Sequence, residues 1–263
     1  MGGGMKVIEE KDIIADMHIH TISSLHGYST LKECIDIAAE KGLSYIAITD
    51  HFYNDGTELN RKNEVNRIAY LETRASSTKR NVKVIGGAEF NIAQDIADLG
   101  KLRKLRWKLI GVHGWFLDCE MTTLDALYKL FENEAGKYTT FAHIERELHK
   151  IDYCKYGDSM TDEVKMFLEK MVILAKKTDT VLELNESSLV TNEAGGYERI
   201  LYWLSLAKEN GNVISLGTDS HYCEEIGEFE NSIKILNKVG FSKESILNCN
   251  EELLLKYLDK SKR

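Results

Sequence analysis

The sequence predicts an α/β protein folded as one domain, a closed or nearly closed barrel of parallel β/α units. Three observations carry this expectation. Seven short apolar, β-branched runs recur along the chain, amphipathic helical stretches fall between them, and 263 residues is a length such a barrel reaches as a single domain. The composition, 43% hydrophobic and 29% charged, is that of a chain able to bury a core and not of a disordered one.

Residues 1–12 are read as a lead-in, of which Met1-Gly2-Gly3-Gly4 before Met5 resembles a cloning remnant; the domain is expected over 13–263. The predicted strands are 13–19, 45–49, 82–88, 108–112, 139–142, 180–184 and 213–217. Helices are predicted over 31–41, 124–134, 162–176, 198–209 and 229–238, and a last one over 251–258 closes the chain. Thr30-Leu31-Lys32-Glu33 carries the capping-box pattern, in which threonine and glutamate satisfy the first helical N–H groups reciprocally. Gly42 stands where a C-cap glycine would end that helix.

Several function classes recede on composition. No apolar run is long enough for a transmembrane helix, and the first residues lack a charged-then-apolar leader, so a cytoplasmic protein without a membrane partner is expected. The net charge of −8 disfavours broad nucleic-acid binding. Five cysteines (Cys34, Cys119, Cys154, Cys223, Cys249) are scattered and never form a CxxC pair, so reduced thiols are expected. The chain has no proline, where about 13 would be usual at ~5% usage. That absence suggests proline was removed by design or selected against.

In a parallel barrel, chemistry gathers at the carboxyl ends of the strands. Those ends read Asp16-Met17-His18-Ile19-His20, Thr49-Asp50-His51, Ala88-Glu89, Val112-His113, Ala142-His143, Glu183-Leu184-Asn185 and Gly217-Thr218-Asp219-Ser220-His221. Of eight histidines, six fall at strand ends and His26 in the loop after the first; only His149 lies outside the pattern. Side chains alternate along a strand, so His18 and His20 share a face, as do Asp219 and His221, and each pair can converge on one ion. Imidazole and carboxylate suit zinc, manganese or iron. The nine candidates His18, His20, His26, His51, Glu89, His113, His143, Asp219 and His221 exceed the four ligands of one tetrahedral ion. A multinuclear centre is therefore expected, with Glu89 as the natural bridge.

Around it, Asp16 falls on the face of His18 and is read either as the carboxylate that orients it or as a barrel-interior polar residue. Arg146 reads as a bidentate grip on phosphate or as a solvated loop residue. Tyr28 and Trp115 are candidates for the pocket wall or for packing, and Cys223 for an extra thiol ligand. The run Lys101-Leu102-Arg103-Lys104-Leu105-Arg106 reads as an exposed basic helix face, with a nucleic-acid contact as the sharper idea.

Taken together, the D-x-H-x-H-T opening at Asp16–Thr21, Ile48-Thr49-Asp50-His51, Glu89, His113, His143 and Gly217-Thr218-Asp219-Ser220-His221 resemble the PHP (polymerase and histidinol phosphatase) family over roughly residues 13 to 258. Ser24–Thr30 and Glu183–Ser188 resemble its stand-alone phosphatase branch. The resemblance implies a distorted (β/α)7 barrel with a trinuclear centre, zinc or alternatively manganese or iron, hydrolysing phosphoesters. It would place one ion among His18, His20, Glu89 and Asp219, a second at Glu89, His113 and His143, and a third among His26, His51 and His221. Ile144 and Cys223 stand where the family commonly has proline.

The expected activity is hydrolysis of a small phosphomonoester by a metal-bridging hydroxide, in line and without a covalent intermediate, with Glu89, Asp219, Asp16 and Arg146 at the reacting centre. The alternatives are a histidinol-phosphate phosphatase and a non-catalytic metal-binding or interaction module. Asp50, where the histidinol-phosphate branch often has glutamate, ranks the first alternative lower.

Overall fold

A computed structural model of the chain describes residues 7–52, 67–68, 70–76, 78–92, 105–113, 123–146, 148, 160–191 and 196–260. Seven strands, β1 (Ala15–Ile19), β2 (Tyr45–Ile48), β3 (Lys83–Asn91), β4 (Trp107–Gly111), β5 (Thr140–Phe141), β6 (Val181–Asn185) and β7 (Ile214–Gly217), form one sheet in sequence order. Every neighbouring pair is parallel. Around it lie α1 (Leu31–Glu40), α2 (Leu71–Ala75), α3 (Leu124–Glu134), α4 (Asp162–Thr178), α5 (Glu186–Thr191), α6 (Gly196–Asn210), α7 (Glu230–Val239) and α8 (Glu251–Lys260). No helix among the described residues is long and apolar enough to cross a membrane.

The expected single α/β barrel is the fold observed, and each predicted strand lies within a few residues of a real one. The capping box at Thr30 and Glu33 forms as read, and Gly42 ends α1 in the left-handed region directly after Lys41. Two short helices, α2 and α5, were not anticipated; neither is long enough to display an amphipathic period. β3 runs three residues beyond its expected end because Glu89, Phe90 and Asn91 pair with Leu109, Ile110 and Gly111. Glu89 is thereby fixed inside a strand.

The sheet nearly closes, and β1 meets β7 in two different ways. Near the carboxyl ends the backbones bond directly, His20 N–H to Ser220 O and Asp219 N–H to His18 O, both at 2.9 Å. Lower down, the fully buried Asn248 amide spans the gap. Its Oδ1 accepts from Leu216 N at 2.7 Å, and its Nδ2 donates to Ala15 O at 2.7 Å and Leu216 O at 2.9 Å. One side chain thus satisfies backbone groups that a closed ladder would have paired.

β1 also contains an irregularity that positions the site. Ala15 and Asp16 pair with Tyr45 and Ile46, yet Ile19 pairs with Ile48, so the register slips by one between Asp16 and Ile19. Such a bulge re-aims the residues after it. Ala15 and Met17 join the apolar barrel floor with Tyr45, Ala47, Trp107 and Leu109, which Leu254, Tyr257 and Leu258 of α8 close off. Ile19 packs outward with Ile46, Ile48 and α1, which leaves His18 and His20 facing the interior.

Candidate metal centre

Glu89 is the hub of the carboxyl end of the barrel. It is buried, and five imidazoles surround it. Its Oε2 lies 3.0 Å from His51 Nδ1, 3.3 Å from His20 Nε2 and 3.5 Å from His18 Nε2. Its Oε1 lies 2.9 Å from His143 Nε2 and 3.1 Å from His113 Nε2. Asp219 completes one corner, with Oδ1 at 3.2 Å from His20 Nε2 and 3.5 Å from His18 Nε2. His18 and His20 present their Nε2 atoms to each other at 3.0 Å. On the outer side His221 Nε2 is 2.7 Å from His26 Nε2, and the His26 and His51 rings stack with centroids 5.0 Å apart.

The structure therefore brings all nine expected ligands into one cluster. Among the described residues, three groups have ligand atoms close enough to share an ion: His18, His20 and Glu89; His51, Glu89 and His113; and His20, His51 and His221. The donor set fits metal on distance as well as type. A tetrahedral zinc with bonds of about 2.0–2.1 Å separates its ligand atoms by about 3.3–3.4 Å. The distances among His18, His20, Glu89 and Asp219 bracket that value. Glu89 Oε2 is buried with three imidazole nitrogens in reach and none aligned as a hydrogen bond, the kind of acceptor a cation would satisfy.

Hydrogen bonds outside the ring of ligands settle which nitrogen faces inward. Ser24 Oγ donates to Asp50 Oδ1 at 2.7 Å, so it accepts from His20 Nδ1–H at 2.8 Å, which leaves Nε2 as the nitrogen turned towards the carboxylates. Asp50 is itself held by Thr21 N–H at 2.6 Å, Thr21 Oγ1 and Arg67. His221 Nδ1 donates to the Asp219 carbonyl at 2.9 Å, again leaving Nε2 for a ligand role. Gly111 makes room for the His143 ring, since a Cβ there would lie 2.7 Å from His143 Cε1. Both His143 (φ 29°) and Asp219 (φ 55°) occupy the left-handed region that side-chain-bearing residues rarely adopt, a strain that collects at functional positions.

Carboxylates and imidazoles alternate around the cluster and shift one another's protonation. Burial by itself would raise the Glu89 and Asp219 carboxyls, yet the histidines around them hold both well below the usual carboxylate range. Burial likewise disfavours charged His20, but Asp219 and Glu89 outweigh it and bring its pKa to about 9. His221, facing fewer carboxylates, is pushed down to about 4 by burial and by the charge of His20.

Asp16 reaches His18 at the backbone, where its Oδ1 accepts from His18 N–H at 3.3 Å, and its other partners lie away from the ring. The bulge turns it to the opposite face from His18, where it laces the β1–β7 seam through Thr218 Oγ1 at 2.6 Å, Thr218 N–H at 3.1 Å and Gly227 N–H at 3.0 Å. The carboxylate on the His18 ring is instead Glu183, whose Oε1 lies 2.6 Å from Nδ1. A glutamate inside the otherwise apolar run of β6 was the signal available for it. Arg146 Nη1 donates to Asp219 Oδ2 at 2.6 Å, at the edge of the centre.

Cys223 is not among the ligands: it packs in the outer apolar cluster with Cys34 and Ile226, and Cys34, Cys223 and Cys249 are free thiols. Tyr28 is exposed, while its backbone N–H donates to His221 O at 2.8 Å. Arg106, at the end of the basic run, pairs with Glu72 just before β4 and is not on a helix. Residues 101–104, Trp115, Cys119, His149, Cys154 and the Met1–Gly4 leader lie outside the described residues.

Known proteins share this architecture. A protein of Thermoanaerobacter sp. strain X514 named "Probable phosphatase" is 27% identical over 259 residues, covering 95% of this chain and 96% of its own. A "Probable phosphatase" of Shewanella piezotolerans is 28% identical over 250 residues, 93% of each chain. Among solved structures, histidinol phosphate phosphatase from Lactococcus lactis, complexed with zinc, L-histidinol and phosphate, superimposes with a TM-score of 0.61 at 18% identity, covering 86% of this chain and 94% of that one. The PHP domain pattern itself matches residues 16–229, a span holding every residue of the cluster, and the chain belongs to the PHP domain family.

Proposed function

We propose that the protein is a metal-dependent phosphatase that hydrolyses a small phosphomonoester at a trinuclear centre, with zinc as the leading metal and manganese or iron(II) as alternatives. The observation that carries this reading is Glu89, one buried carboxylate with five imidazole nitrogens within 3.5 Å of its two oxygens. His18, His20, Glu89 and Asp219 would hold the first ion. Glu89 would bridge to a second at His113 and His143, and His26, His51 and His221 would hold the third. When bound, the ions neutralise phosphoryl charge, lower the pKa of water and stabilise the leaving oxygen.

The chain's own residues set the geometry. Ser24 and Asp50 keep His20 in one tautomer, and the strained backbones of His143 and Asp219 aim their side chains inward. Arg146, paired with Asp219 at the edge of the centre, would be the candidate cation for a phosphate oxygen.

The test is hydrolysis of p-nitrophenyl phosphate and of histidinol phosphate by stripped protein reconstituted separately with zinc, manganese or iron(II), beside a chelated control. Metal-dependent turnover of p-nitrophenyl phosphate is expected. Selective turnover of histidinol phosphate would narrow the substrate. Full metal occupancy without turnover of either would favour a metal-binding module over an enzyme.

A further inference from the structure

Glu183 stands on β6 with both carboxylate oxygens committed, and its partners belong to different parts of the metal centre. Oε1 takes the His18 ring at Nδ1. Oε2 accepts from the backbone N–H of His143 at 3.2 Å and from Asn185 Nδ2 at 3.3 Å. Asn185 in turn reaches Asp219 Oδ2 at 3.4 Å. The fit is close: a Cβ on Gly217 would overlap Glu183 Oε1 and the His18 Cβ together, so a glycine at that position is what lets the pair meet.

Three donors converging on one side chain demand acceptors at both of its ends, which among side chains of this length only an ionised carboxylate offers. We infer that Glu183 is a positioning residue for the metal centre: it fixes His18 with its proton on Nδ1 and its Nε2 lone pair inward, and it anchors the backbone of His143, so that one carboxylate aligns a ligand on β1 and a ligand just beyond β5. The inference rests on the metal-centre reading above. It explains how His143 is held at φ 29°, since the N–H of that strained residue is tied directly to Oε2. It also explains why β6 contributes no ligand of its own yet carries a glutamate through the barrel interior.

Glu183→Gln separates charge and acceptor pattern from shape. If the glutamine carbonyl faces His18, its NH2 is set against two other donors, His143 N–H and Asn185 Nδ2. If it flips, its NH2 faces Nδ1, and the His18 proton must move to Nε2, where it blocks the ion. The experiment titrates stripped full-length protein with cobalt(II) alone and follows the visible bands of tetrahedral cobalt, beside thermal unfolding of the stripped protein. Cobalt affinity is expected to fall about 10–100-fold in Glu183→Gln, with weakened bands and a little-changed Tm of the stripped form.

Wild-type affinity and spectrum in the variant would overturn the inference. So would a loss of affinity matched by a collapse of the stripped protein's Tm, because Glu183 would then serve the fold and not the ligands. No substrate enters the measurement, so a wild-type protein that binds cobalt without turning over phosphomonoesters refutes the phosphatase reading and leaves this one standing. A wild-type protein that takes up no cobalt refutes both.

Discussion

The two ends of the same seven strands obey opposite rules. At the amino end the barrel interior is filled by Ala15, Met17, Tyr45, Ala47, Trp107 and Leu109, and α8 seals it with Leu254, Tyr257 and Leu258. At the carboxyl end the interior holds His18, His20, Glu89, His143, Glu183 and Asp219, all buried. The floor is stabilised by removing apolar area from water, at roughly 25 cal/mol per Å². The mouth instead buries charges, which costs several kcal/mol per ion unless they are paired. The apolar floor supplies the rigidity that lets the mouth keep so unfavourable a set of groups together, and metal is what would make that set favourable.

Breaking the mouth should destroy chemistry while sparing the fold. Glu89→Gln removes the charge proposed to bridge two ions, and metal-dependent turnover should fall by roughly 10²–10³-fold or more, with bound metal per chain reduced in elemental analysis. Full turnover at full metal content would end the bridging assignment. Breaking the floor should do the reverse. Leu254→Ala, at a fully buried position of α8, should cost about 2–5 kcal/mol of stability in denaturant unfolding. The variant that remains folded should take up metal as the wild type does.

pH sharpens the contrast between stripped and loaded protein. The folded pKa of His20, about 9, stands above the ordinary value of 6.5. Its protonated form therefore stabilises the stripped protein fully below pH 6.5, and that contribution is lost as pH rises towards 9. Metal must displace the same proton, so metal affinity should rise with pH over this window and level off above about 9. Thermal unfolding of stripped and loaded protein at pH 6.5, 7.5 and 9 should diverge; parallel curves would contradict the shared role of these histidines.

The smallest effect belongs to a residue in neither region. Thr161 caps α4 by accepting from Val164 N–H at 3.3 Å, and Thr161→Ala should cost about 0.5–2 kcal/mol. Its metal uptake should match the wild type, and a deficit there would mean that the mouth responds to stability lost anywhere.

Much of the fold and the cluster was legible before any coordinates. Apolar, β-branched runs alternating with capped amphipathic helices specify parallel β/α units locally, because propensity and periodicity act within one element. Histidines at strand ends announce a shared rim once the strands are known to be parallel, which is why His18, His51, His113, His143 and His221 could be grouped from positions far apart in the chain.

What tertiary structure decided is which carboxylate serves which histidine. Period-2 alternation put Asp16 beside His18, but a one-residue slip in β1 turns it away, and that slip exists only in the pairing with β2. Glu183 reaches His18 across 165 residues, and Asn248 spans the seam across 233. Such contacts depend on sheet register and on how nearly the barrel closes. Those are properties of the assembled strands, because a hydrogen-bonding side chain finds its partner by position in space and leaves no period in the sequence.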